Sequence, residues 1–159
     1  ISLTPAFLLH EIAHKVVARK YGCWAEFRAN PAGLRFGVIL AAILGIVFMA
    51  PGAVMVAGRT TKTQFGRIAL AGPVTNIFLW CFGIFIAFLL GGFNSHLDQI
   101  IKTWLWGNSI LAAFNMLPFG PLDGKKIKTW SEVTFYVWFT ICVAAIWITI
   151  NYANKILAF

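Results

Sequence analysis

The residues best suited to chemistry in this sequence form the pentapeptide His10-Glu11-Ile12-Ala13-His14. In a helix, residues four positions apart lie on one face a single turn apart, so the two imidazoles can share a metal ion. The glutamate between them is placed to act as a base toward a water molecule on that ion. Apolar residues flank the pentapeptide. Three ionisable groups inside an apolar helix are energetically costly to bury, so their presence indicates a function. The pattern therefore predicts a zinc site of the hydrolytic kind.

A third metal ligand must come from elsewhere in the chain. Zinc in hydrolytic sites usually takes three protein ligands and one water, and the third ligand is commonly Asp or Glu. The chain has five acidic residues. Glu11 is assigned as the base, and Glu26, Asp98 and Glu132 lie in segments predicted to be at the surface. Asp123 remains, because it follows an apolar run in a stretch with two prolines and two glycines, where a regular helix cannot continue.

The elements that must position these residues are membrane helices. Hydrophobic residues make up 60% of the 159 residues and charged residues 11%, against about 45–50% and 25% in soluble domains. Apolar runs at 36–57, 68–93 and 133–150 approach or exceed the roughly 20 residues that a spanning helix needs. A shorter run lies at 101–117, and the pentapeptide lies in a helix predicted over 5–21. The composition predicts an all-α membrane protein, a polytopic helical bundle in contact with the lipid bilayer.

The basic residues are concentrated between the apolar runs and give the chain a net charge of +8. They form groups at 15–35, 59–67 and 125–128, whereas the loop at 94–99 is nearly neutral. Lys and Arg beside spans mark the cytoplasmic side of a membrane protein. The charge therefore predicts orientation in the bilayer, and no nucleic-acid partner is expected.

All three basic groups can be cytoplasmic if the run 36–57 enters the bilayer and folds back at Pro51-Gly52. A single crossing by this run would instead put two basic groups on opposite faces, against the usual bias. With the re-entrant arrangement, His14 and Asp123 both lie close to basic residues. The topology therefore predicts a metal site near the cytoplasmic face.

The sequence resembles the site-2 protease family of intramembrane zinc metalloproteases over residues 3–126. The resemblance rests on three motifs, in order along a polytopic chain. They are His10-Glu11-x-x-His14, Ala71-Gly72-Pro73-x-x-Asn76 and Asn115-x-x-Pro118-x-x-x-Leu122-Asp123-Gly124.

This resemblance implies a function and a set of roles. His10, His14 and Asp123 are expected to bind Zn²⁺, Glu11 to act as catalytic acid and base, and Asn115 to lie near the carbonyl of the substrate. The substrate is expected to be a transmembrane protein. The resemblance also implies a three-helix catalytic core, with a short re-entrant or hairpin segment between its first two helices. Residues 1–128 then form the protease core, and 129–159 add a C-terminal transmembrane helix.

Several assignments stay open in the sequence. The strand-like stretch Ala53-Val54-Met55-Val56 is a candidate for pairing with an extended substrate peptide. Asn115 could equally cap or cross-link helices, and Asn76 is expected to be a structural amide that fastens close-packed helices. A membrane metal-ion transporter and a catalytically silent membrane scaffold are alternative functions. The sequence does not predict the oligomeric state, and because it opens on Ile1 with an apolar stretch already under way, we expect a longer protein with a further helix upstream.

Overall fold

The protein is described by a computed structural model over residues 3–28, 53–90 and 95–156, together with Arg35 and Val38. These parts of the chain are mostly helical, as predicted. Most of the run 36–57, with its predicted fold-back at Pro51-Gly52, lies outside the described residues. The elements, in chain order, are the helix α1 (Leu3–Lys20), the strands β1 (Trp24–Arg28) and β2 (Ala53–Ala57), and the helices α2 (Lys62–Leu90), α3 (Ser95–Asn115), α4 (Asp123–Trp130) and α5 (Glu132–Ile156).

Helix α1 carries the pentapeptide and packs against α2 and α3. Ala6 and Ala18 are fully buried, and such small residues let helix backbones approach closely. The last turn holds Arg19 and Lys20, whose charges complement the negative end of the helix dipole. The chain then turns at Gly22, which has a φ of 74°, a conformation that glycine adopts without steric cost.

The two strands form an antiparallel pair, with Trp24 opposite Ala57 and Arg28 opposite Ala53. The strand-like character predicted near residue 53 is confirmed, but the prediction of an all-α fold missed β1, in a region for which the sequence predicted only that Glu26 lies at the surface. Alternation explains the strand, because Ala25 is buried while Trp24 is exposed, and alternate residues of a strand face opposite sides.

Two helices are long and apolar enough to cross a membrane, judged by length and composition over the described residues. They span Lys62–Leu89 in α2 and Glu132–Asn151 in α5. Pro73 lies inside α2 without ending it. Membrane insertion of these two helices, and of α1 and α3, remains a prediction.

Helix boundaries differ from the predicted ones at the start of α3. The loop expected at 94–99 is helical from Ser95 onward. The residues that precede the apolar run lack a helix breaker, so the helix can begin before the run does.

Helix α4 was not predicted, and it fixes the position of Asp123. The chain turns through residues 116–122, with Gly120 at a φ of 60°, and α4 begins immediately. A Cβ at Gly124 would contact the carbonyl oxygens of Met116 and Leu117. The first turn of α4 can therefore lie directly against the end of α3 only because residue 124 is glycine. Ile127, fully buried, lies one turn further along the same face of the short helix.

Candidate metal centre

Three donor atoms from distant parts of the chain converge inside the helix bundle. Oδ2 of Asp123 lies 3.0 Å from Nε2 of His14 and 3.3 Å from Nε2 of His10. The donor atoms of the three residues all lie within 4.8 Å of one another. His10 and Asp123 are separated by 113 positions in the sequence, and all three residues are buried. The structure thus brings the three predicted ligands together.

The orientation of the His14 ring follows from a backbone contact. Its Nδ1 lies 2.7 Å from the carbonyl oxygen of Ile68 in α2. A backbone carbonyl can only accept a hydrogen bond, so Nδ1 must carry the proton and donate it. In the neutral ring, Nε2 of His14 then carries the lone pair, and this atom lies 3.0 Å from Oδ2 of Asp123. A hydrogen bond of this kind commonly fixes a metal-binding histidine.

The His10 ring is oriented by a buried amide. Nδ1 of His10 lies 2.5 Å from Oδ1 of Asn76, and Nδ2 of Asn76 donates to the carbonyl of Ala6 at 3.2 Å and to Oδ1 of Asn108 at 3.1 Å. Because the Ala6 carbonyl only accepts, the nitrogen of the Asn76 amide must face it and the oxygen must face His10. Nδ1 of His10 is therefore the donor, and Nε2 keeps its lone pair.

This arrangement of lone pairs requires a cation. Two imidazole nitrogens and a carboxylate oxygen would repel one another at 3.0–3.3 Å unless a proton or a metal ion is shared among them. Ligand atoms about 2.0–2.2 Å from a tetrahedral zinc ion are themselves about 3.3–3.6 Å apart. The two nitrogen-to-oxygen separations, 3.0 and 3.3 Å, are near this value, and all three donor atoms lie within 4.8 Å of one another. The residues present therefore fit Zn²⁺.

The carboxylate is held from its other side by Lys126. The Lys126 ammonium donates to Oδ1 of Asp123 at 2.8 Å, while Oδ2 faces the two rings. Burial alone would raise the pKa of the Asp123 carboxyl, but its interactions with a protonated His14 and with Lys126 keep that pKa well below the ordinary value. The surroundings of Asp123 therefore favour the carboxylate, the form that binds a metal ion.

Gly72 on α2 lines the space beside the two rings. A Cβ built at this position would lie 2.6 Å from Nε2 of His14 and even closer to Nε2 of His10. Only glycine leaves room at the two nitrogen atoms that carry free lone pairs. Glycine at position 72 thus keeps open the volume that a metal ion and its reactants need.

The other predicted catalytic residues, Glu11 and Asn115, have different surroundings. Glu11 is buried next to His10 and is close enough to His14 to interact with it electrostatically. Asn115 is half-buried at the end of α3, and its amide donates to the Leu111 carbonyl at 3.0 Å in the same helix. Its role near a substrate carbonyl remains a prediction.

The predicted substrate strand is present as β2 and packs against α1. Met55 in β2 is exposed and Val56 is half-buried. Substrate binding by residues 53–56 remains a prediction.

Sequence reasoning gave no role to three residues that support the site: Gly72, Asn108 and Lys126. Gly72 was part of a recognised motif, but its contact with the rings depends on how α1 crosses α2. Asn108 lies seven positions before Asn115, which is about two helical turns, so the same face of α3 could have been suspected. Lys126 follows Asp123 by three positions, which places the two side chains on one face once α4 is known to be a helix.

Comparison with known proteins gives relatives of one kind. The chain is 43% identical over 139 residues to "Putative zinc metalloprotease MJ0611" of Methanocaldococcus jannaschii, an alignment that covers 87% of this chain and 71% of the relative. It is 33% identical to "Putative zinc metalloprotease YwhC" of Bacillus subtilis, covering 80% of this chain and 65% of the relative. It is 32% identical to "Putative zinc metalloprotease Rip3" of Mycobacterium tuberculosis, covering 87% of this chain but 30% of the relative.

The chain belongs to the zinc metalloprotease family of these relatives. Together with the His10, His14 and Asp123 cluster, this membership confirms the predicted cofactor, Zn²⁺. No protein-family model matches the chain, and no solved structure matches it.

Proposed function

We propose that this protein is an intramembrane zinc metalloprotease of the site-2 protease type. It hydrolyses peptide bonds in or near the transmembrane segments of membrane-protein substrates. The observation that carries this proposal is the convergence of two imidazole nitrogens and the Asp123 carboxylate, with the buried Glu11 beside them. Hydrolytic zinc sites use such a donor set, two neutral nitrogens and one carboxylate, with a general base beside it.

The roles of the chain's own residues follow from this geometry. His10, His14 and Asp123 hold the metal. Zn²⁺ supplies Lewis-acid chemistry, since it polarises the scissile carbonyl and acidifies water. Glu11 accepts a proton from the attacking water and delivers it to the amine that leaves. Asn115 stabilises the oxyanion if its amide turns from the Leu111 carbonyl toward the substrate.

The apolar surface of the helices supports a location in the membrane. Only 22% of the apolar window of α5 is buried, whereas the core helix of a soluble protein is mostly covered. Phe88 in α2 is 80% exposed and Val133 in α5 is 75% exposed. Soluble monomers rarely expose large continuous apolar patches, so lipid is the natural environment of these faces. A multi-pass arrangement is part of the proposal.

The basic residues next to the metal ligands support an active site at the cytoplasmic face. Arg19 and Lys20 end the helix that carries His14, and Lys125 and Lys126 follow Asp123. Since positive residues favour the cytoplasmic side, the ligands belong just inside that face. Water, which hydrolysis consumes, is available at this depth.

A substrate helix must unwind locally, because its amides are hidden in its own hydrogen bonds. The two-stranded sheet offers a partner for the unwound segment. In the described part of the chain β2 is paired with β1 along one edge, so its other edge can receive an extended peptide by strand addition. Photo-cross-linking from Val56 should capture substrate, and persistent failure to do so would remove β2 from the proposal.

The decisive experiment separates catalysis from metal binding. Wild-type protein and Glu11→Gln are reconstituted in liposomes with a tagged single-span reporter whose transmembrane segment contains Asn-Pro, which weakens its helix. We expect both proteins to hold one zinc per chain. Cleavage by Glu11→Gln should fall about 10²- to 10⁴-fold, the usual contribution of a general base.

Matched variants distinguish a protease from a transporter and from a silent scaffold. Glu26→Gln, an exposed carboxylate paired with Arg28 in β1, should cleave like wild type. Asp123→Ala should lose both zinc and cleavage. Zinc transport that persists in Glu11→Gln would instead identify a metal-ion transporter, and wild-type protein that binds zinc but cleaves no reporter would favour a silent scaffold.

A further inference from the structure

The two oxygens of the Asp123 carboxylate have different partners. Oδ2 faces Nε2 of His10 and of His14, at 3.3 and 3.0 Å. Oδ1 accepts a hydrogen bond from the Lys126 ammonium at 2.8 Å. The proposed catalytic roles assign the metal to the first oxygen and leave the second one without a function.

The geometry of α4 makes the Lys126 contact specific. Asp123 and Lys126 are three positions apart, on one face of the helix. The carboxylate side chain is only 6% exposed, whereas the lysine side chain is 37% exposed, so the ammonium approaches from the wetter side. Exposed ion pairs contribute little to stability, but this pair includes a buried carboxylate whose orientation decides which oxygen reaches the metal.

The other lysines of α4 are placed differently. Lys125 is exposed. The Lys128 ammonium lies over the rings of Phe135 and Tyr136, 5.6 and 5.7 Å from their centroids. Lys126 is thus the lysine of this basic cluster that contacts the proposed ligand.

We infer that Lys126 is a positioning residue of the metal centre, an inference that rests on the proposed function. Its ammonium occupies Oδ1, so that Asp123 offers the metal only Oδ2. A carboxylate that is free to rotate can bind a metal through both oxygens, which would fill the position that water and the substrate carbonyl need. Lys126 therefore keeps the carboxylate a single donor and keeps one side of the metal open.

The test uses the full chain in detergent, with Lys126→Met as the main variant. Lys126→Arg keeps the positive charge and a donor for Oδ1, and Lys125→Met removes one positive charge from the same helix without touching Asp123. Zinc affinity is measured by competition with a chelator. The visible absorption of the Co²⁺-substituted protein reports the coordination number, since its intensity falls when a fifth donor joins a tetrahedral set.

We expect Lys126→Met to tighten zinc binding about tenfold or more, because a second carboxylate oxygen can join the metal and the repulsion between the ammonium and the ion is lost. Its Co²⁺ absorption should also lose intensity. Lys126→Arg and Lys125→Met should stay within about threefold of wild type in affinity, with a wild-type spectrum. Should Lys126→Met fold poorly, Lys126→Gln gives the same comparison.

Two results would overturn the inference: a wild-type spectrum and affinity in Lys126→Met, or an equal change in Lys125→Met. Neither result would affect the proposed function, which fails separately if wild-type protein binds no zinc or if Asp123→Ala binds it as well as wild type.

Discussion

Gly72 offers the sharpest test of the metal centre, because replacing it by alanine adds one carbon atom where the two histidine rings meet. That Cβ would lie 2.6 Å from Nε2 of His14, whereas non-bonded heavy atoms are at their optimum near 3.5–4.0 Å. The overlap is about 1 Å, and the rings or α1 must move by that amount. Overpacking of this kind costs about 1–3 kcal/mol. If the displacement falls on the ligands, the zinc dissociation constant should rise about 5- to 150-fold.

Gly83→Ala is the matched control for this prediction. It makes the same change in the same helix, and its Cβ would lie 2.7 Å from Cδ1 of Trp104 and 3.0 Å from Cδ2 of Leu105. The site lies 11 residues from Gly72, about 16 Å along the helix. We expect both variants to lower the thermal unfolding midpoint. Only Gly72→Ala should weaken zinc binding in chelator competition.

The two measurements together decide whether Gly72 serves the metal or only the packing. If Gly72→Ala binds zinc with wild-type affinity while its unfolding midpoint falls as in Gly83→Ala, the rings have moved without consequence for the metal. Gly72 would then have no part in keeping this volume open for a metal ion.

Two further variants test the hydrogen bonds that surround the site and the bundle. Asn76→Leu removes the acceptor for Nδ1 of His10 and leaves the Ala6 carbonyl without its donor. Zinc affinity should therefore fall about 10- to 100-fold. Unchanged affinity in chelator competition would refute the tautomer assigned to His10. Thr149→Val removes the acceptor for Nε1 of Trp80, which donates at 2.8 Å between α2 and α5, and should cost about 1 kcal/mol of stability. Thermal unfolding should show this loss of stability. A parallel fall in zinc affinity would contradict the expectation that the contact between α2 and α5 is independent of the metal centre.

The three metal ligands could be predicted from the sequence, the histidines from their local spacing and Asp123 from the predicted topology. Two histidines four positions apart need only a helix to share a face, and the helix α1 is present. Asp123 was selected because a proline- and glycine-rich stretch cannot continue a helix and because the charges imply a matching depth. The structure brings its carboxylate to the two rings, so topology and electrostatics were sufficient to connect the two segments.

The supporting residues could not be predicted in the same way, because their roles arise from helix packing. Asn108 matters through a hydrogen bond to Asn76 across two helices, and nothing in its neighbours in sequence indicates that partner. The strand β1 was missed because five residues are too few to distinguish a strand from a connecting segment, and because they depend on β2 for their hydrogen bonds. Helix α4 is short and polar, and it is held by packing at Gly124 and Ile127, a tertiary effect that overrides local propensity.

The distance in sequence between His10 and Asp123 has a consequence for the biosynthesis of the protein. Since 113 positions separate them, a ribosome that has just added His14 has supplied both imidazoles but not yet the carboxylate. A chain interrupted before Asp123 holds an incomplete set of metal ligands. Assembly of the proposed metal centre is thereby tied to translation of the later part of this sequence.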